Sequence, residues 1–170
     1  SERKNHQEVI QAVADLSRHD VYYLICGQGK LEEQLKEQAK ALNVEKYIRL
    51  VGFQKDVKTF YQNADIFVFP SRQEGMPVAL MEAMAAGLAC VVSDIRGNRE
   101  LIDCRGGLRF APDRSETLAC RLRQILNKEE FCMKCGRHNQ VKIKSFDIRT
   151  VDYRMRKIYA REFAMVAGGR

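Results

Sequence analysis

Asp65-Ile66-Phe67-Val68-Phe69-Pro70 runs directly into Ser71-Arg72-Gln73-Glu74-Gly75-Met76-Pro77-Val78-Ala79-Leu80-Met81-Glu82-Ala83-Met84-Ala85-Ala86-Gly87. The first six residues form an apolar run closed by proline, the pattern of a strand buried on both faces. The second segment reads as a helix. Pro77 suits a first helical position, where a missing N–H costs nothing, and Gly87 suits the residue just past the last turn. Leu80, Met81 and Met84 fall on one side of this helix and Val78, Ala79, Ala85 and Ala86 on the other. A helix apolar nearly all round is expected to be buried. Its single charge is Glu82, and a buried lone carboxylate is costly unless something outside the helix hydrogen-bonds it.

Glu74 precedes Glu82 by eight residues, about 80° apart on a continuous helix of ~3.6 residues per turn. Placing Glu74 in the loop before the helix lets both carboxylates point into one cleft. The N–H groups of Gly75, Met76, Val78 and Ala79, with the positive end of the helix dipole, then make that cleft an anion site. A ligand with a phosphate flanked by hydroxyls would fit. The plainer reading makes Glu74 a solvated loop residue and Glu82 the ion-pair partner of an arginine.

Outward from this stretch, strand and helix patterns alternate. A helix is expected over Asn5–Arg18, then strand Val21–Cys26 closed by Gly27-Gln28-Gly29, and a helix over Lys30–Leu42. Strand Tyr47–Val51 ends at Gly52, and a short helix covers Lys55–Asn63. After the central stretch come strand Ala89–Ser93, a turn at Asp94–Asn98, and a short helix at Arg99–Ile102 capped by Asn98. A strand at Gly107–Phe110 and a helix from Asp113 to Asn127 follow, then helices at Glu129–Ser145 and Ile148–Ala164. Alternation at this spacing predicts an α/β fold: a Rossmann-like, three-layer α/β/α parallel sheet in a single domain over residues 1–170. Ligands of such sheets lie at the carboxyl ends of the strands. The Gly27–Gly29 turn, Gly52 and the Glu74–Pro77 loop should therefore share one rim.

The composition narrows the function. A length of 170 residues suits one domain with a sizeable core. No apolar run approaches the ~20 residues that cross a bilayer, and no signal-peptide pattern opens the chain. Six scattered cysteines fit reduced thiols and a cytoplasmic setting better than a disulfide framework. Cys132-x-x-Cys135, with His138 nearby, has no second ligand pair at a zinc spacing, so two helix-borne thiols are expected and no metal. The net charge of +7 is uneven: residues 1–120 hold 16 Lys+Arg against 17 Asp+Glu, residues 121–170 hold 13 against 5. That basic end fits a solvated helical face or an anionic membrane surface. It is not interleaved with aromatics, so a nucleic-acid stacking platform is not expected.

Glu74-x7-Glu82 with Ala83-Met84-Ala85-Ala86-Gly87 resembles the E-x7-E signature of retaining glycosyltransferases of GT-B fold, family four (group 1). Ile25–Gly29, Leu50–Phe53, Ala64–Ser71 and Ser93–Ile102 resemble further motifs of that family, in the same order. The likeness is strongest to enzymes of capsular and exopolysaccharide assembly and weakest after about residue 127. It implies the donor-binding half of the GT-B fold with its first strand missing. It also implies that Glu82 accepts hydrogen bonds from ribose hydroxyls and that Glu74 holds donor-sugar hydroxyls. The N–H groups of Gly75, Met76, Val78 and Ala79 would hold diphosphate or sugar, and the Gly27–Gly29 turn would line the same site. Phe53 and Gln54 would read the base through their backbone. Lys4 would face the diphosphate, so no metal or other cofactor is required. The donor implied is a nucleotide sugar, with UDP the family's commonest base.

The chain also departs from the family pattern. Pro77 removes one N–H donor, and the arginine of the first strand is absent with that strand, which the family places mid-sheet. The gap is closed by its neighbours, filled by a partner, or left open with edges prone to self-association. The implied partner is an absent N-terminal acceptor domain, towards which residues 128–170 would turn. Val151, Met155, Ile158, Tyr159 and Phe163 form an apolar stripe there. The fragment alone is expected to transfer no sugar, and the full protein to sit in the cytoplasm or peripherally on the inner membrane face. The alternatives are half of another sugar-nucleotide enzyme, such as a 2-epimerase, and a basic membrane or nucleic-acid module.

Overall fold

In the computed structural model, residues 1–167 are described. A single turn at Glu2–Lys4 leads into α1 (His6–Leu16), β1 (Tyr23–Cys26), α2 (Glu32–Ala41), β2 (Ile48–Gly52) and α3 (Lys58–Gln62). Then follow β3 (Ile66–Phe69), α4 (Val78–Ala86), β4 (Ala89–Ser93), α5 (Arg96–Leu101) and β5 (Gly107–Phe110). Three helices finish the chain: α6 (Ser115–Ile125), α7 (Glu129–Ile143) and α8 (Ile148–Ala167). The fold is the parallel α/β architecture read from the strand–helix alternation.

Every strand pairing is parallel, but the strands form two sheets. β1 pairs with β2, Tyr23 opposite Ile48, with an irregularity between Ile25 and Cys26. β4 lies between β3 and β5, with Ile66 opposite Ala89 and Cys90 opposite Gly107. No ladder joins β1 to β3. Of the three outcomes named above for the centre of the sheet, closing up of the neighbours does not occur. The reason lies in α1. Its residues Val9, Ile10 and Val13 share one core with Ile25 and Ile48 of the first sheet and with Val91 and Phe110 of the second. That apolar face spans both sheets and holds them in place without a hydrogen bond between them.

β4 is buried along its whole length. Ala89 and Val91 face the α1–α6 layer, whereas Cys90 and Val92 face a second core with Leu80, Met84, Leu101 and Ile102. Alternate residues of a strand point to opposite faces, so a strand covered on both sides must be apolar throughout. At the amino ends of β4 and β5, α7 crosses the sheet. The Asn139 side-chain amide donates to Leu88 O at 2.7 Å and to Gly106 O at 2.8 Å. A Cβ on Gly136 would stand 1.9 Å from Gly87 O, so only glycine allows this approach.

Local corrections have local causes. α5 begins at Arg96 rather than Arg99, which puts Asn98 inside the helix. Its amide donates back to Ser93 O at 2.9 Å and does not cap the helix. Pro77 lies just before α4, with Val78 as the first helical residue, and Gly87 ends the helix at φ 85°. α6 starts at Ser115, and the loop before it is tied to α1: the amides of Asp113 and Arg114 donate to the Glu8 carboxylate. The apolar stripe of α8 lies uncovered, Val151, Met155, Ile158, Tyr159 and Phe163 all being exposed. Among the described residues, no helix is long and apolar enough to cross a membrane.

Candidate functional site

The carboxyl ends of the strands converge as expected for this topology. Gly27 N donates to Gly52 O at 2.7 Å, which joins the loops after β1 and β2. The Glu2–Lys4 turn then bridges the two sheets. Ser1 N lies 3.8 Å from where a Gly29 Cβ would stand, and Arg72 N donates to Arg3 O at 2.8 Å. Behind the loop after β3, the Ser93 hydroxyl donates to Ser71 O, and both residues are buried.

Lys4 lies within this rim. Its Nζ is 2.8 Å from Glu74 Oε1 and 5.1 Å from the centre of the Phe69 ring. Arg3, Lys4, Gln73, Glu74 and Gly75 enclose a hollow of about 170 Å³. The amides of Gly75, Met76, Val78 and Ala79 donate to no protein acceptor among the described residues, so the first turn of α4 offers its N–H groups outward. α5 fixes the Glu74 loop from behind. A Cβ on Gly97 would lie 2.6 Å from Glu74 O and 2.7 Å from Gly75 O. Gly97 therefore lets the loop pack directly on the helix backbone.

Glu82 corrects the expectation of a buried carboxylate. α4 buries only Leu80, Ala83 and Met84 deeply, while Val78, Glu82, Ala85 and Ala86 are exposed. An all-round apolar pattern suggests burial, but two of the four exposed residues are alanines, which fit either environment. Glu82 thus stands at the surface, one turn beyond the exposed Val78. Its Oε2 receives the Tyr61 hydroxyl at 3.2 Å, so its protein partner is a phenol and not an arginine. Burial, then the charge of Glu82, push the Tyr61 phenol well above its ordinary value, and it remains a donor at all working pH.

The remaining expected residues also lie on the rim. Phe53 is 71% exposed just beyond β2. The Gln54 side-chain amide folds back and donates to Val51 O at 2.6 Å. No cluster of three or more His, Cys, Asp or Glu side chains is placed to hold a metal among the described residues. Cys135 is buried, Cys132 faces Ile125 O at 3.7 Å and His138 bonds Asp103 at 3.1 Å, so these three serve different neighbours. Sequence reading missed Tyr61 and Gly97. Tyr61 is the single tyrosine of a short helix one strand upstream of the signature, and Gly97 follows the turn after β4. Neither position announces that it touches a glutamate.

The sequence profile of the glycosyl transferases group 1 family matches residues 1–142. The chain belongs to that family. A glycosyl transferases group 1 domain accounts for the parallel α/β fold. EpsD of Bacillus subtilis strain 168 is 30% identical over 161 residues, covering 92% of this chain and 42% of EpsD. The UDP-Gal:alpha-D-GlcNAc-diphosphoundecaprenol alpha-1,3-galactosyltransferase of Escherichia coli is 39% identical over 84 residues, covering 49% of this chain and 22% of that enzyme. Among solved structures, Anabaena HepE in complex with UDP superposes with a TM-score of 0.87 at 20% identity, covering 95% of this chain and 46% of HepE. The chain thus spans less than half the length of these relatives.

Proposed function

We propose that this glycosyl transferases group 1 domain is the donor-binding half of a retaining glycosyltransferase and that its ligand is a UDP-sugar. One observation carries the reading. Lys4 bonds Glu74 at 2.8 Å, and the free amides of Gly75, Met76, Val78 and Ala79 lie between Glu74 and Glu82 along the chain. A nucleoside diphosphate sugar has the complementary order: ribose hydroxyls, diphosphate, sugar hydroxyls. Glu82 accepts from the ribose, the amides of Gly75, Met76, Val78 and Ala79 hold the diphosphate, and Glu74 accepts from the sugar. When the bond from the anomeric carbon to the diphosphate oxygen breaks, negative charge grows on the leaving group. The Lys4 ammonium offsets that charge without a metal ion. In the apo chain Lys4 is held by Glu74, and the arriving diphosphate competes for it.

The Escherichia coli relative, by its name, takes galactose from UDP-Gal to a diphosphoundecaprenol-linked sugar. HepE holds UDP on the same fold. These support a UDP-hexose donor and a growing polysaccharide or lipid-linked acceptor for the complete protein, working at the inner face of the membrane. The acceptor is taken by a part of the protein outside this chain, and the exposed stripe of α8 offers an apolar face for that part to cover. Alone, the 170 residues bind nucleotide and transfer nothing.

Calorimetric titration with UDP, GDP and their hexose derivatives tests the donor assignment. Glu82→Ala is expected to weaken UDP by tenfold or more, about the value of one charge-assisted hydrogen bond. UDP binding unchanged in that variant, or sugar transfer by the isolated chain, would overturn the reading.

A further inference from the structure

We propose that Tyr61 is a positioning residue for the donor nucleotide: its hydroxyl holds Glu82 so that the other carboxylate oxygen meets the ribose hydroxyls. This rests on the donor-site reading above and adds to it a residue from a different element. The geometry is specific. Tyr61 OH lies 3.2 Å from Glu82 Oε2 and 3.3 Å from Ala79 O. A phenol has one proton to give. Ala79 O lies inside α4, where it can accept the helical N–H four residues on, so the proton is free for the carboxylate. A hydrogen bond to an ionised acceptor is also the stronger of the two.

Without that bond an exposed glutamate samples several rotamers, and ordering it on binding costs side-chain entropy. Oε2 occupied by Tyr61 leaves Oε1 as the free acceptor and selects one rotamer in advance. The ring itself is anchored. It meets Phe67 edge-on, with centroids 5.8 Å apart and an interplanar angle of 68°. Tyr61→Phe therefore keeps the packing and removes only the hydroxyl.

The test is calorimetric titration of UDP and 2′,3′-dideoxy-UDP into four proteins: wild type, Tyr61→Phe, Glu82→Ala and the double variant. Tyr61→Phe is expected to bind UDP about three- to tenfold more weakly, the range of one ordinary hydrogen bond. It should bind dideoxy-UDP as wild type does. In the Glu82→Ala background the same change should cost nothing, because the two residues act as one unit. The ratio of the two affinities is internal to each protein, so a partly unfolded variant still reports it. An equal penalty with both ligands, or a penalty that persists without Glu82, would assign the hydroxyl to packing and overturn the proposal. Unchanged UDP binding by Tyr61→Phe, with Glu82→Ala impaired, would overturn it and leave the donor reading intact. Wild-type affinity in Glu82→Ala would remove both.

Discussion

The Lys4 ammonium lies 2.8 Å from Glu74 Oε1, across 70 residues of sequence, and rests over the ring of Phe69. Phe69 stacks on Phe67 at 5.7 Å, and Phe67 meets Tyr61, the hydroxyl partner of Glu82. Phe67 and Phe69 alternate with Ile66 and Val68 along β3, so both rings point to the α4 side of the sheet. The two glutamates of the rim are thus referred to one aromatic strand face, Glu74 through Lys4 and Glu82 through Tyr61.

The Lys4–Glu74 pair is expected to matter for binding and little for stability. Lys4 is 44% exposed, and pairs this open contribute about 0–1 kcal/mol to folding. Lys4→Met should leave the denaturant midpoint nearly unchanged while UDP affinity falls about tenfold or more, the scale of a charge-assisted contact. The loss should shrink at high salt, where the wild-type ammonium is itself screened. A large fall in stability with intact UDP binding would make the pair a structural strut.

Gly97→Ala is expected to disturb the site from behind. The new Cβ would stand 2.6 Å from Glu74 O and 2.7 Å from Gly75 O, and both contacts are backbone. The loop must shift, at about 1–3 kcal/mol for overpacking of this kind. Because the shifted residues are Glu74 and Gly75, UDP-sugar affinity should fall more than UDP affinity. Gly136→Ala meets the backbone of Gly87 at the far end of the sheet. It should lower stability without that selective loss, and parallel titrations of the two variants separate the effects.

The strand–helix alternation was legible in the sequence because each element has its own period: continuous apolar runs for β3 and β4, 3.6-residue spacing for α1 and α6. The paired glutamates were legible from spacing and from likeness to a family. The exposure of Glu82 was not, because an alanine-rich face gives no sign of whether it is covered. Nor was the start of α5, where Asn98 has the character of a cap but bonds backwards to Ser93. The hold of Glu8 on the loop before α6 and the Tyr61 contact join residues far apart in the chain. No local pattern encodes such pairs, since only the packed sheet brings them together.

Stability is expected to decline in mild acid through His6. Burial, then the terminal ammonium of Ser1 and Lys4, lower its imidazole to about 4, and Nδ1 lies 2.7 Å from the Tyr23 hydroxyl. Burial also holds the Tyr23 phenol protonated, and the neutral imidazole shares one hydrogen bond with it. In the unfolded chain the ring titrates near 6.5, so between about pH 6.5 and 4 the unfolded state binds the extra proton. The stabilisation from this group is complete above about pH 6.5, falls as pH drops through that window, and levels off below about 4. The drop is about 3 kcal/mol at most. Urea denaturation from pH 7.5 to 4.5 measures it, and His6→Asn, which retains an acceptor but does not titrate there, should flatten the curve. An equally steep curve in the variant would assign the slope to other groups.

The unpaired edges of β1 and β3 predict self-association of the 170-residue chain. Two open parallel sheets with no ladder between them leave four strand edges without partners among the described strands, those of β1, β2, β3 and β5. An open edge is a template for pairing with another chain. Leu24 of β1 is 48% exposed and adds apolar surface at one of them. Sedimentation velocity should show a monomer at low micromolar concentration and larger species on the order of 100 µM, the range in which exposed edges associate. Leu24→Lys should suppress those species, because a charge on an edge strand opposes a like charge on the incoming copy. If α8 and its uncovered stripe drive association instead, Leu24→Lys will leave it unchanged and Ile158→Lys will abolish it. A wild-type chain monomeric throughout would show that the shared core seals the edges against a second copy.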